Sequence, residues 1–101
     1  MIETETISIE GREFEGVKVA TENSTILLIK ALHGILGCGY FNIDAADKFN
    51  DALVIVTGVK SFEDMLESSV AKFSKAAAKK GVKEGMKGKG ALLLLNLVKK
   101  D

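Results

Sequence analysis

The chain has 101 residues, 47% of them hydrophobic and 28% charged, with no net charge; this is one globular domain and excludes a disordered polyelectrolyte. A single cysteine excludes an internal disulfide, and one cysteine with one histidine cannot supply the four ligands of a structural zinc site, so no metal is expected. The longest apolar run, Ala91–Leu95, is far short of the roughly 20 residues that cross a bilayer, and the glutamate-rich start lacks a signal-peptide core; a soluble cytoplasmic protein with no membrane partner is expected.

Glu5–Ile9 alternates and reads as a strand, followed by a two-residue turn at Gly11-Arg12 of the Gly-X type. A second strand runs Glu13–Ala20. Its apolar phase breaks at Gly16, because Phe14 is even while Val17 and Val19 are odd, so a bulge at Gly16 is expected. Thr25–Ala31 is almost wholly apolar and reads as a central strand. Leu32-His33-Gly34 reads as a three-residue loop that pairs Ala31 with Ile35, and the chain returns as Ile35–Phe41.

Asp44 can cap a short helix, Ala45–Phe49. Ala52–Thr57 is another buried strand. Ser61-Phe62-Glu63-Asp64 has the form of a capping box opening a helix. Ser69–Lys80 shows a helical period, with Val70, Phe73 and Ala77 inward and Lys72, Lys75 and Lys79 outward, and with Gly81 as its C-cap. Val82–Gly90 is a lysine- and glycine-rich loop. Ala91–Val98 is a buried helix or a subunit contact, with Lys99 and Lys100 favourable at its end. The order of elements argues an α+β fold: a mixed β-sheet with an N-terminal β-hairpin region and helices packed on one face.

The candidate chemistry lies in Ala31–Tyr40, which holds the only histidine and the only cysteine. Cys38 is a candidate nucleophile, redox thiol or ligand, and His33 a candidate base. Gly34, Gly37 and Gly39 thin the backbone beside them, and a twist there can aim both side chains into one pocket, from one subunit or two. The alternative is that Cys38 is a small buried hydrophobe and His33 a loop residue. Lys60 and Ser61, at a strand-to-helix junction, form a second candidate, a seat for a small anionic ligand. The competing reading there is a plain turn with an exposed lysine. Gly85–Gly90 lacks the G-x-x-x-x-G-K-[ST] pattern of a nucleotide-hydrolysing loop. Asp44, Asp47 and Asp51 read as caps and solvated faces rather than a cation cage.

Acidic side chains dominate the first 71 residues and basic ones the remainder. The lysines of 72–89 are accompanied by one aromatic, Phe73, on the inner stripe, so stacking platforms for single strands are missing and no specific nucleic-acid partner is expected. No cofactor is specified by the residues.

Three segments in order, His33-Gly34-Ile35-Leu36-Gly37-Cys38-Gly39, Gly58-Val59-Lys60-Ser61 and Gly85-Met86-Lys87-Gly88, resemble the YunC-like family of small bacterial and archaeal proteins, a domain of unknown function. The resemblance implies an α+β domain whose N-terminal β region, about residues 1–20, mediates assembly into a homotetramer. It implies no activity. The chain departs from the family pattern at Leu32, where a polar residue is usual before the histidine, and at Lys89-Gly90-Ala91, where an acidic residue is common. Two functional classes follow: a small-molecule-binding protein or enzyme with a Cys/His site near residues 33–39, or a non-catalytic oligomeric interaction module in which that strand is only structural.

Overall fold

The structure, a computed structural model, describes residues 2–97. It is an α+β domain built on one mixed six-stranded sheet whose spatial order follows the chain. In chain order the elements are β1 (Ile2–Ile9), β2 (Arg12–Ala20), β3 (Thr25–Ala31), β4 (Gly34–Gly37), α1 (Ile43–Phe49), β5 (Leu53–Ile55), α2 (Phe62–Glu67), β6 (Lys72–Phe73), α3 (Lys75–Lys79) and α4 (Gly88–Leu95). All neighbouring strands are antiparallel except β4 and β5, which are parallel and joined through α1.

The β1–β2 turn lies one residue earlier than expected. Ile9 pairs with Arg12, and Glu10 and Gly11 take φ of 49° and 79°, the two positive values of a type I′ turn. That register also removes the expected bulge at Gly16, since the pairing runs unbroken from Ile9–Arg12 to Ile2–Val19. Ile7 lies opposite Phe14 and both are buried, while Val17 and Val19 belong to the other face, opposite Leu28 and Ile26. The apolar phase changes along β2 because the strand is apolar on both faces in turn.

The β3–β4 loop is two residues, Leu32-His33, not three. Ala31 pairs with Gly34 and Ile29 with Leu36. The expected register would have set Leu36 against Lys30. A one-residue slip reverses every side chain, and the observed choice puts two fully buried aliphatics together.

The expected helix over Ser69–Lys80 is only its second half. Lys72 and Phe73 pair instead with Ile55 and Val54, covering the edge of β5. Helix propensity over this stretch yields to the unpaired donors and acceptors of a buried strand. Ser74 then caps α3, and Gly81 follows the helix with φ of 101°. Likewise α1 begins two residues before the expected Ala45: Asn42, not Asp44, is its cap, accepting from the Asp44 and Ala45 N–H groups. Val98, Lys99 and Lys100, expected at the end of the last helix, lie outside the described residues.

The helices divide between the two faces. The main core gathers Leu27, Ile29, Leu36, Val54 and Val56 from the sheet with Met65 of α2, Ala77 of α3 and Leu92 and Leu95 of α4. On the other face α1 sets Ala46 over Leu53 and Ile55. A charged tie joins α2 to α4: Lys87 and Lys89 reach the Glu67 carboxylate at 2.9 and 3.1 Å. The Lys87 hydrogen bond, then that of Lys89, holds the exposed Glu67 carboxyl below its usual value. Its small contribution is present above the ordinary carboxylate range and is lost as pH falls through the lowered value.

Candidate functional site

β4 separates the two residues that sequence reasoning had drawn together. His33 sits in the β3–β4 turn, where its N–H donates to Leu95 O at 3.0 Å. It lines a hollow of about 390 Å³ with Lys30, Asp51 and Lys80 at the amino ends of β4 and β5. Cys38 lies past the other end of β4 and lines a different hollow, of about 380 Å³, with Thr25, Tyr40 and Val59. Within one chain they form no pair.

Cys38 is 5% exposed and belongs to the main core. Its N–H donates to Leu27 O at 3.1 Å, and Leu27 N–H donates in turn to Cys38 Sγ at 3.4 Å. The sulfur thus takes the bond that the next carbonyl of the ladder would have accepted, and the pairing stops there. We expect a thiol reagent to label native Cys38 far more slowly than the unfolded chain does. We also expect Cys38→Ala to cost about 1 kcal/mol, the scale of a small truncation in a core. Labelling kinetics with and without denaturant, and a denaturation curve of the variant, check both.

The glycines are occupied by the protein itself. The bare backbone at Gly37 is covered by the Phe41 ring, and that at Gly34 by the Leu95 side chain of α4. Gly39 alone stays open, since a Cβ there would meet only Thr57 Cγ2 at 3.9 Å. At the second candidate, Ser61 Oγ accepts from Asp64 N–H at 3.1 Å, and Asp64 Oδ2 accepts from Lys60 N–H at 3.0 Å. Ser61 caps the helix as expected, but the return bond of the Asp64 carboxylate goes to Lys60 N–H rather than to the Ser61 N–H of a capping box.

The parallel pair creates a cleft that sequence reasoning did not find. In open sheets with βαβ connections, ligands collect outside the carboxyl ends of parallel strands. Here that end carries a cleft of about 610 Å³, lined by Gly39, Phe41, Asn42, Ile43, Asp44, Ile55, Thr57, Lys72 and Phe73. Ile55 and Lys72 are directly paired across β5 and β6, so their side chains stand side by side on the face that α1 covers. Asn42 is held by its two capping bonds. Asp44 and Lys72 make no ion pair among the described residues. Reading Lys72 as part of a solvated helical stripe hid it; the signal that could have found it is Ala52–Thr57, a buried strand whose far edge needed a partner.

The family model of a domain of unknown function, DUF1805, matches residues 37–95. The uncharacterised protein YunC of Bacillus subtilis is 27% identical over 97 residues, which cover 92% of this chain and 96% of YunC. The crystal structure of the protein of unknown function TA1206 from Thermoplasma acidophilum matches with a TM-score of 0.88 at 33% identity, covering 94% of this chain and 93% of that one. The matched family segment opens in β4 and closes with α4, so it contains every residue lining the cleft and leaves out the β1–β2 hairpin. On these matches the chain belongs to the YunC-like DUF1805 family.

Proposed function

We propose that this domain binds a small polar molecule non-covalently in the cleft at the carboxyl ends of β4 and β5. The observation that carries the reading is the coincidence of the parallel β4–β5 pair with a cleft of about 610 Å³, within the usual range of ligand sites. Its floor is apolar, from Ile55, Phe41 and Ile43, and its rim is polar, from Asn42, Asp44, Thr57 and Lys72. Lys72 takes the role of anion partner that the sequence had suggested for Lys60. Chemistry by Cys38 would require His33 of a second subunit, and nothing in the cleft calls on either residue.

The test is a thermal-shift series with free amino acids, oxo acids and sugar phosphates as probes. At least one class should raise the melting temperature of the wild type and not of Gly39→Leu, whose side chain fills the cleft at a position with open space. A shift that survives Gly39→Leu, or none with any probe, overturns the reading.

A second observation supports assembly. The face of β1–β3 opposite the main core carries Val17, Val19 and Leu28, all half-buried, beside the exposed Ile2. β1 is an eight-residue edge strand with no partner on its outer side among the described residues. Such an edge invites pairing with another chain, and a second copy would cover both edge and face. We therefore expect a homo-oligomer, a tetramer as the family resemblance implies. Val17→Glu should convert it to monomers with the fold intact, since Val17 belongs to neither core. A wild type that sediments as a monomer at micromolar concentration contradicts this.

A further inference from the structure

We infer that the ligand of the cleft is a zwitterion of the α-amino-acid type with an apolar side chain. The inference rests on the cleft reading and adds the ligand class. Two opposite charges line the same opening: the Asp44 carboxylate from α1 and the Lys72 ammonium from β6. Neither is neutralised by a partner of its own among the described residues, whereas Lys87 and Lys89 share Glu67. A purely anionic ligand would meet Lys72 but be repelled by Asp44, and a purely cationic one the reverse. A molecule carrying both charges as substituents of one carbon satisfies both sides.

The remaining lining fits the same molecule. Asn42 Oδ1 is committed to two backbone N–H groups, so what the Asn42 amide still offers a ligand is its N–H donors. Thr57 also lines the cleft and carries a hydroxyl. Below the charged rim lie the Ile55 and Phe41 side chains, an apolar seat for an aliphatic group. The ligand's carboxylate faces Lys72, its ammonium faces Asp44, and its side chain lies against Ile55.

Calorimetry with three probes of one carbon skeleton tests this. Leucine carries both charges, leucinamide only the ammonium, and 4-methyl-2-oxopentanoate only the carboxylate. Leucine should bind at least about tenfold more tightly than either of the others, the loss expected for one charge-assisted contact. Lys72→Met should weaken leucine and the oxo acid while sparing leucinamide. Asp44→Asn should weaken leucine and leucinamide while sparing the oxo acid. If the oxo acid binds as well as leucine and Asp44→Asn changes nothing, the zwitterion inference fails and the cleft reading stands. If none of the three binds while a sugar phosphate raises the melting temperature, the zwitterion inference fails and the cleft reading stands; if binding persists in Gly39→Leu, both fail.

Discussion

Gly88→Ala should lower the stability of this domain by about 3 kcal/mol, the upper part of the range for overpacking a core. On local grounds the substitution ought to help. Gly88 is the first residue of α4, and alanine is favoured over glycine inside a helix by about 1 kcal/mol. Packing reverses the sign. A Cβ on Gly88 would fall on the main-chain oxygen of Met65 and press on Leu36 Cδ2 at 3.1 Å. Neither neighbour can withdraw easily: Met65 and Leu36 are fully buried, and Gly88 N–H is tied to Ser68 O at 2.9 Å. The two helices approach to backbone contact, and only hydrogen fits between them. Gly90→Ala is the control. Nothing lies within 4 Å of its Cβ position, so there the propensity alone acts and stability should rise by up to about 1 kcal/mol. Urea unfolding of the two variants, read at constant slope, should show midpoints moving in opposite directions.

Ser74→Ala should cost about as much, roughly 3 kcal/mol, through the two buried N–H groups it orphans, those of Leu53 and Ala77, at about 1–3 kcal/mol each. Ser74 is fully buried. Its hydroxyl donates to Asp51 O at 2.7 Å and accepts from Leu53 N–H at 2.9 Å and from Ala77 N–H at 3.3 Å. One oxygen thus satisfies the start of β5, the residue before the crossover ends, and the first turn of α3. Ser61→Ala removes a cap of the same form from an exposed site, where water can replace the oxygen, so about 1 kcal/mol is expected there. A Ser74→Ala loss no larger than that of Ser61→Ala, measured by chemical denaturation, would show that water reaches the Ser74 site.

The same two positions show where the sequence was readable. The strand Thr25–Ala31 and the Ser61 cap stand where their local patterns put them, because continuous apolar residues and side-chain caps act over a few positions. So does the mixed sheet, which follows from the order of elements. The register of β4 did not show, because it depends on Leu36 meeting Ile29 rather than Lys30, a choice made across strands. β6 did not show because Phe73 has a helical period with Ala77, and Lys72 with Lys75 and Lys79, and the two residues pair with β5 only once the sheet exists. At the candidate site, the openness of Gly39 and the role of Ser61 as the cap that accepts from Asp64 N–H were legible. The separation of Cys38 from His33 was not, since it follows from the short β3–β4 turn and the full length of β4 between them. The cleft was hidden by the same misreading that hid β6: Lys72 reaches it only as a strand residue.

Amide-shift mapping on isotope-labelled protein tests the location of the site most directly. The protein is titrated in turn with leucine, 4-methyl-2-oxopentanoate and inorganic phosphate. The account predicts that the perturbed amides cluster on Gly39, Asn42, Asp44, Thr57 and Lys72, at the carboxyl ends of β4 and β5, with those of His33, Lys30 and Lys80 unmoved. Perturbations centred on the His33 hollow or on Cys38, or none in the cleft with any of the three, would contradict it.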